Sequence, residues 1–186
     1  MRFDPRLTPL PLGEIDPETA SLIEKIVGPG AQPPNLLATI ARHPLLFKRW
    51  LTFTNVFMLK GSIPAREREL IILRSAWRYR SNYEWGHHEI LGRRAGLSDL
   101  DIRRVVGGPQ ANGWSESEAA LLSMVDELND NSSVSDGIWA RLSRSYDDKQ
   151  LLEILFLAGC YAMLAYVINT CRIEPDQGLN GLPDQP

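Results

Sequence analysis

Residues 149–171, KQLLEILFLAGCYAMLAYVINTC, form an almost unbroken apolar run. Such a run has two physical outlets. About 20 apolar residues can cross a bilayer, and a helix that is apolar on all sides must otherwise be buried on all sides. Glu153 near its start and Asn169 near its end shorten the run, and Ala158, Gly159, Ala162 and Ala165 allow other helices to approach closely. The expectation is therefore a core helix packed within a domain and against a second copy of the chain, with no membrane span. At 186 residues and 44% hydrophobic content, the chain is long enough to enclose a substantial core. One domain over 1–186 is expected, with 1–34 as a peripheral N-terminal arm and short helix.

The remaining apolar residues recur at helical spacing, and no strand pattern interrupts them. Pro17 opens a short amphipathic helix that Gly28, Pro29 and Gly30 stop, and Pro44 opens another that ends near Gly61. On the latter, Leu46, Trp50, Phe53, Phe57 and Met58 form one broad apolar side, while His43 reads as a turn or cap element. Ser98 with Asp101 has the form of a capping box, Ser115 can cap the next helix, and Ser135 opens a short one. The centre of the chain is PAREREL IILRSAWRYRSNYEWGHHEILGRRAG, residues 64–96. Its pattern predicts an antiparallel helix pair over 66–79 and 82–95, with Gly96 as the stop. The fold class is all-α, with about eight helices around this pair.

Ionisable residues share a face of that pair. Ser81, Glu84 and His88 lie within an arc of roughly 60° on the second helix. A carboxylate four residues before an imidazole can accept its N–H, fix its tautomer and raise its basicity. An ordinary helix-surface pair, worth about a few tenths of a kcal/mol, fits the same spacing. Glu69 on the first helix can face this cluster across the gap, which would put two carboxylates and one imidazole around one cavity. His87 lies about 100° away from His88 around the helix and is expected to point elsewhere.

The run RERELIILRSAWRYRSNYEWGHH followed by AGLSDLDI resembles the carboxymuconolactone decarboxylase family, over about residues 35–173. That family includes alkylhydroperoxidase D-like proteins, whose signature is a glutamate, a C-x-x-C twelve residues on, and a histidine four residues after the second cysteine. By spacing, the glutamate falls on Glu69, the cysteines on Ser81 and Glu84, and the histidine on His88. Neither serine nor glutamate can attack a peroxide as a thiolate or resolve a sulfenic acid, so thiol peroxidase activity is disfavoured. The resemblance implies the cysteine-free, decarboxylase-like branch and a trimer or hexamer. It also suggests that Phe53 and Phe57 line the cavity.

The implied function is cofactor-independent acid–base chemistry on a small carboxylated or lactone metabolite, as decarboxylase, isomerase or lyase. His88 would shuttle the proton, Glu84 would orient it or act as a second acid, and Glu69 would polarise substrate. Ser81 and Arg74 are candidate binding residues, with Arg74 or an arginine of another subunit compensating an anionic substrate. The rival is a binding or assembly protein that keeps the fold without the chemistry. Other classes lack support. A net charge of −3 offers no basic stripe for nucleic acid. No glycine-rich phosphate loop follows a strand, and three histidines without H-E-x-x-H spacing make a metal site unexpected. Cys160 and Cys171, roughly 16 Å apart along one helix, cannot pair. With no secretory leader pattern, a cytoplasmic protein is expected.

Overall fold

Helix boundaries fall where the sequence places caps and breakers. The computed structural model describes residues 4–184, among which there are nine α-helices and two single-turn 3-10 helices but no strand. They are α1 (Pro17–Val27), α2 (Asn35–Ile40), α3 (Pro44–Leu59), α4 (Ala65–Arg78), α5 (Asn82–Arg94), α6 (Asp99–Gly107), α7 (Glu116–Asn131), α8 (Asp136–Leu142) and α9 (Asp148–Cys171). Reciprocal capping boxes start α6 (Ser98 with Asp101), α7 (Ser115 with Glu118) and α9 (Asp147 with Gln150), each satisfying backbone N–H groups that the first turn leaves open. The His43 ring accepts from Leu46 N–H at 3.3 Å and so caps α3.

The turn between α4 and α5 sets the geometry of the centre. Arg80 adopts a left-handed conformation (φ 55°), and Ser81 N–H returns to the Ala76 carbonyl at 2.8 Å while Arg80 N–H returns to Trp77. This paired closure ends a helix in one residue, so α5 folds back antiparallel to α4. Asn169 of α9 donates to the freed Tyr79 carbonyl at 2.7 Å.

α4 is the hub: α5, α6, α7 and α9 all pack on it, and every residue from Glu69 to Ala76 is buried. α9 lies alongside with Ile154, Leu157, Leu164 and Ile168 in the core. Glu153 at its start accepts from Ser62 N–H and hydroxyl, which ties α9 to the turn before α4. Its opposite side, Leu152, Phe156, Met163 and Tyr166, is exposed. α9 is the one described helix long and apolar enough to cross a membrane, but half of its most apolar stretch is packed inside the domain.

The ends of the chain are more integrated than a peripheral reading allows. Arg6 N–H reaches the Cys171 carbonyl at 2.9 Å, Arg42 donates to the Thr8 carbonyl, and Ile23 of α1 is buried against Phe47 and Leu37. The arm is thus held by its own chain, at least from residue 4 onward. At the other end, residues 174–184 cross α5, where Leu182 N–H bonds Asn82 and the Asn180 side chain reaches Glu89. Gly86 makes that crossing possible, since a Cβ there would sit 2.6 Å from the Asn180 carbonyl.

Candidate active site

Antiparallel pairing brings the start of α4 beside the second half of α5. There His88 Nδ1 and Glu69 Oε2 are 2.7 Å apart, with Glu69 fully buried and His88 nearly so. Arg68 Nε donates to the other Glu69 oxygen at 3.0 Å. A carboxylate that already accepts from a guanidinium also accepts from the ring, so Nδ1 donates to Glu69 and Nε2 is the ring nitrogen not committed to it. The edge of Tyr161 packs on the imidazole with ring centroids 5.0 Å apart, fixing the ring's plane. Burial, with Glu69 and Glu84 nearby, holds the Tyr161 phenol well above its ordinary pKa, so it stays neutral and directs its O–H to Met58 Sδ at 3.5 Å.

Glu84 stands apart from this pair. Both its oxygens are buried without a hydrogen-bond partner among the described residues, and the same holds for the Ser81 hydroxyl. Burial pushes the Glu84 carboxyl up to about 8; the nearby Ser81 hydroxyl pulls it down less, without forming a hydrogen bond of acceptable geometry. At neutral pH Glu84 is mostly a carboxylic acid, able to donate.

Glu84 and His88 are among the residues lining a cavity of about 570 Å³. Its walls come from α1 (Leu22, Ile26), α2 (Leu36, Leu37), α3 (Trp50, Thr54, Asn55, Met58) and α9 (Tyr161, Leu164). A larger concavity of about 820 Å³ runs under residues 172–179, but it shares only Tyr83 with the cavity and is lined by neither Glu84 nor His88. An apolar cavity with a few converging polar groups is the ordinary form of a small-molecule site. We therefore place the chemistry at the smaller one.

Residues 44–127 match the model of the carboxymuconolactone decarboxylase family. That segment is similar to the family. The match covers α3 to most of α7, a shorter span than the resemblance over 35–173, and it includes Glu69, Ser81, Glu84 and His88. Similar solved structures cover nearly the whole chain. The alkylhydroperoxidase AhpD core of an uncharacterized peroxidase-related protein from Ralstonia eutropha JMP134 aligns over 92% of this chain and 93% of its own, with 18% identity and a TM-score of 0.79. A peroxidase-related protein from Silicibacter sp. TM1040 aligns over 90% of each chain, again with 18% identity and TM-score 0.79. A variant of the debrominase Bmp8 in complex with 2,3,4-tribromopyrrole aligns over 95% of each, with 15% identity and TM-score 0.80. At such identities the likeness establishes the all-α, alkylhydroperoxidase D-like fold. No curated protein matches the sequence.

Within this segment several sequence expectations change. The partner of His88 is Glu69, and Glu84 makes no bond to the ring. Arg74 does not reach the cavity: its guanidinium clamps Asp126 with bonds of 2.7 and 2.8 Å and caps the Val105 and Val106 carbonyls at the end of α6. Phe57 is in the core, and Phe53 borders a shallow depression with Phe156 and Met163 on the outer side of α9, so neither lines the cavity. Ser81 backs Glu84 from the N-cap of α5 and is not among the residues lining the cavity.

His87 does not point away. It lines the cavity mouth, lies against Tyr83 with centroids 4.7 Å apart, and bonds Asp176 through Nε2 at 2.8 Å. Asp176 also accepts from the Tyr83 hydroxyl at 2.6 Å and from Asn35 N–H at 2.8 Å, joining the C-terminal segment to α5 and α2. Trp50 packs against the core as its place on α3 implies and also lines the cavity, with its indole N–H buried and unpartnered. Asp176 and Tyr161 carried no local signal, because their partners lie far away in the sequence. Cys160 is buried beside Thr54, where desolvation pushes its thiol up to about 11; Cys171 is only partly buried.

Proposed function

We propose that the protein is a cofactor-independent acid–base enzyme of the decarboxylase-like, cysteine-free branch of its family, acting on a small molecule in the His88 cavity. The observation that carries this reading is the division of labour between the two carboxyl groups. Glu69 is bonded to Arg68 and His88, whereas Glu84 is buried, unpartnered and pushed up to about 8. A buried neutral acid beside an imidazole that a carboxylate positions gives one site an acid and a base at a single pH.

In this reading His88 Nε2 accepts a proton from carbon next to a substrate carbonyl, and Glu69 stabilises the imidazolium through Nδ1–H. Glu84 donates its proton to the carbonyl oxygen as charge develops there. The proton on His88 then returns to another carbon, and Glu84 recovers its own as the carbonyl reforms. The net change is an isomerisation, and expulsion of a β-substituent from the same intermediate would make the enzyme a lyase. Decarboxylation of a charged metabolite is less well supported, because Arg74 is committed elsewhere.

The binding-protein alternative would be favoured by a closed helix pair with Glu84 exposed. The open cavity and buried Glu84 support the enzyme. Metabolite profiling with purified protein should identify a substrate that exchanges carbon-bound hydrogen with D₂O. His88→Ala should then lower turnover on the order of 10²-fold or more, with Glu69→Gln similar, while the fold is kept. Undiminished turnover in His88→Ala would end the proposal. A cytoplasmic homo-oligomer, trimeric or hexameric, completes it.

A further inference from the structure

The polar groups around the cavity are not those of an anion site. Lys25, exposed on α1 at the mouth, is the one lysine or arginine among its described lining residues. Arg68 is engaged with Glu69, and Arg74 with Asp126. Three buried polar atoms on lining residues have no partner: both oxygens of Glu84 and the indole nitrogen of Trp50. Around them the wall is aliphatic, thioether and aromatic, including Leu164, Met58, Tyr83 and Tyr161.

A carboxylate brought to Glu84 and His88 would meet the buried Glu69 and Glu84 carboxyl groups without an uncommitted cation at that depth, since Arg68 is already bonded to Glu69. An uncompensated charge in such surroundings is far costlier than an uncharged polar group. A hydroxyl or carbonyl can instead pair with the orphaned groups, whose isolation is itself unfavourable. From these unpartnered groups on an apolar wall, we propose that the site takes an uncharged, mostly apolar ring compound bearing a hydroxyl or carbonyl, and rejects the carboxylate of the same shape. The inference rests on the reading of this cavity as the reaction site. Burial pushes the Glu84 carboxyl up to about 8, which makes it a donor to such a ligand at neutral pH.

The test is calorimetric binding at neutral pH of 2-naphthol, naphthalene-2-carboxylate and naphthalene to the full chain. The naphthol should bind at least about ten-fold more tightly than the carboxylate, in the native protein and in Lys25→Met alike. Glu84→Leu should reduce naphthol affinity to that of naphthalene. Glu84→Gln, which keeps a donor and an acceptor in the same shape, should hold it within about three-fold and serves if the leucine variant fails to fold. Equal or tighter binding of the carboxylate, unchanged naphthol binding in Glu84→Leu, or no binding by any of the three would overturn the proposal. No arm depends on turnover. Naphthol preference with His88-independent turnover would sink only the acid–base reading, and carboxylate preference with His88-dependent turnover only the ligand class.

Discussion

At Glu84, burial and the lack of a partner act in the same direction. The unfolded chain releases this proton near the ordinary value of 4.5, while the folded protein keeps it until about 8. Between those values the native state binds one more proton, so the contribution is present at low pH and is lost as pH rises through about 8. Glu84→Gln is neutral throughout. Its melting temperature should stay close to wild type near pH 5 and exceed it by on the order of 10 °C near pH 8.5, and equal slopes in both proteins would show that Glu84 ionises freely. Cys160 presents the contrasting case of a group that burial silences. With its thiol pushed up to about 11, and with Ser81 and Glu84 at the positions matching the family's thiols, thiol-dependent peroxide consumption should be absent. A peroxidase assay checks this, and activity abolished by Cys160→Ser would refute it. The residue chemistry was partly legible: one helical period places Ser81, Glu84 and His88 on a face. The choice of partner was not, because Glu69 competes for His88 from another helix.

For individual helices, end signals are local and were readable, but rotation about the axis was not always so. α3 illustrates the difficulty. Leu45, Leu46, Phe53, Val56 and Leu59 are exposed while Phe47 and Phe57 are buried, so apolar residues occupy every side and the pattern cannot say which side faces inward. The cavity wall on α3 is accordingly Trp50, Thr54 and Met58, while Phe53 turns outward. On α5, Gly86 looks like a weak point, and helix propensity alone would predict that Gly86→Ala gains about 1 kcal/mol. The C-terminal segment reverses the expected sign. An added methyl would meet the Asn180 carbonyl at 2.6 Å and Leu179 Cβ at 3.0 Å, and backbone can give little. Gly86→Ala should therefore cost roughly 1–2 kcal/mol by urea denaturation and speed hydrogen exchange in residues 174–184. A stabilised variant with an unchanged exchange pattern would mean that the segment is not held there.

Across the molecule, the unresolved demand is the outer side of α9. Leu152, Phe156, Met163 and Tyr166 alternate in spacings of four, seven and three residues along one exposed stripe, with Phe53 of α3 packed against Phe156 at 6.2 Å between ring centroids. Contiguous exposed apolar surface of this kind favours association, and we propose a second copy of the chain as its partner. Light scattering should return a multiple of the 20.9 kDa chain mass, and Phe156→Glu should shift the population toward monomer without loss of helicity. A wild-type monomer stable at micromolar concentration would refute this. The same scale explains why the N-terminal region was undervalued. Its own pattern marks a short amphipathic helix, but only docking onto α2 and α3 makes Leu22 and Ile26 a wall of the cavity.

What could be derived from the chain's order of residues was everything governed by neighbours within a turn or two: helix type, the capping box at Ser98, the cap at Ser115, the stop at Gly96, and the shared face of Glu84 and His88. These follow from the helical repeat and from backbone groups that must be satisfied on the spot. Packing decided the rest. It paired Arg74 with Asp126 across 52 positions, gave His88 to Glu69, left Glu84 without a partner, and laid Asp176 beside His87. Such pairings depend on how each helix is rotated and where its neighbours end, and a helix that is apolar all round carries no local mark of either.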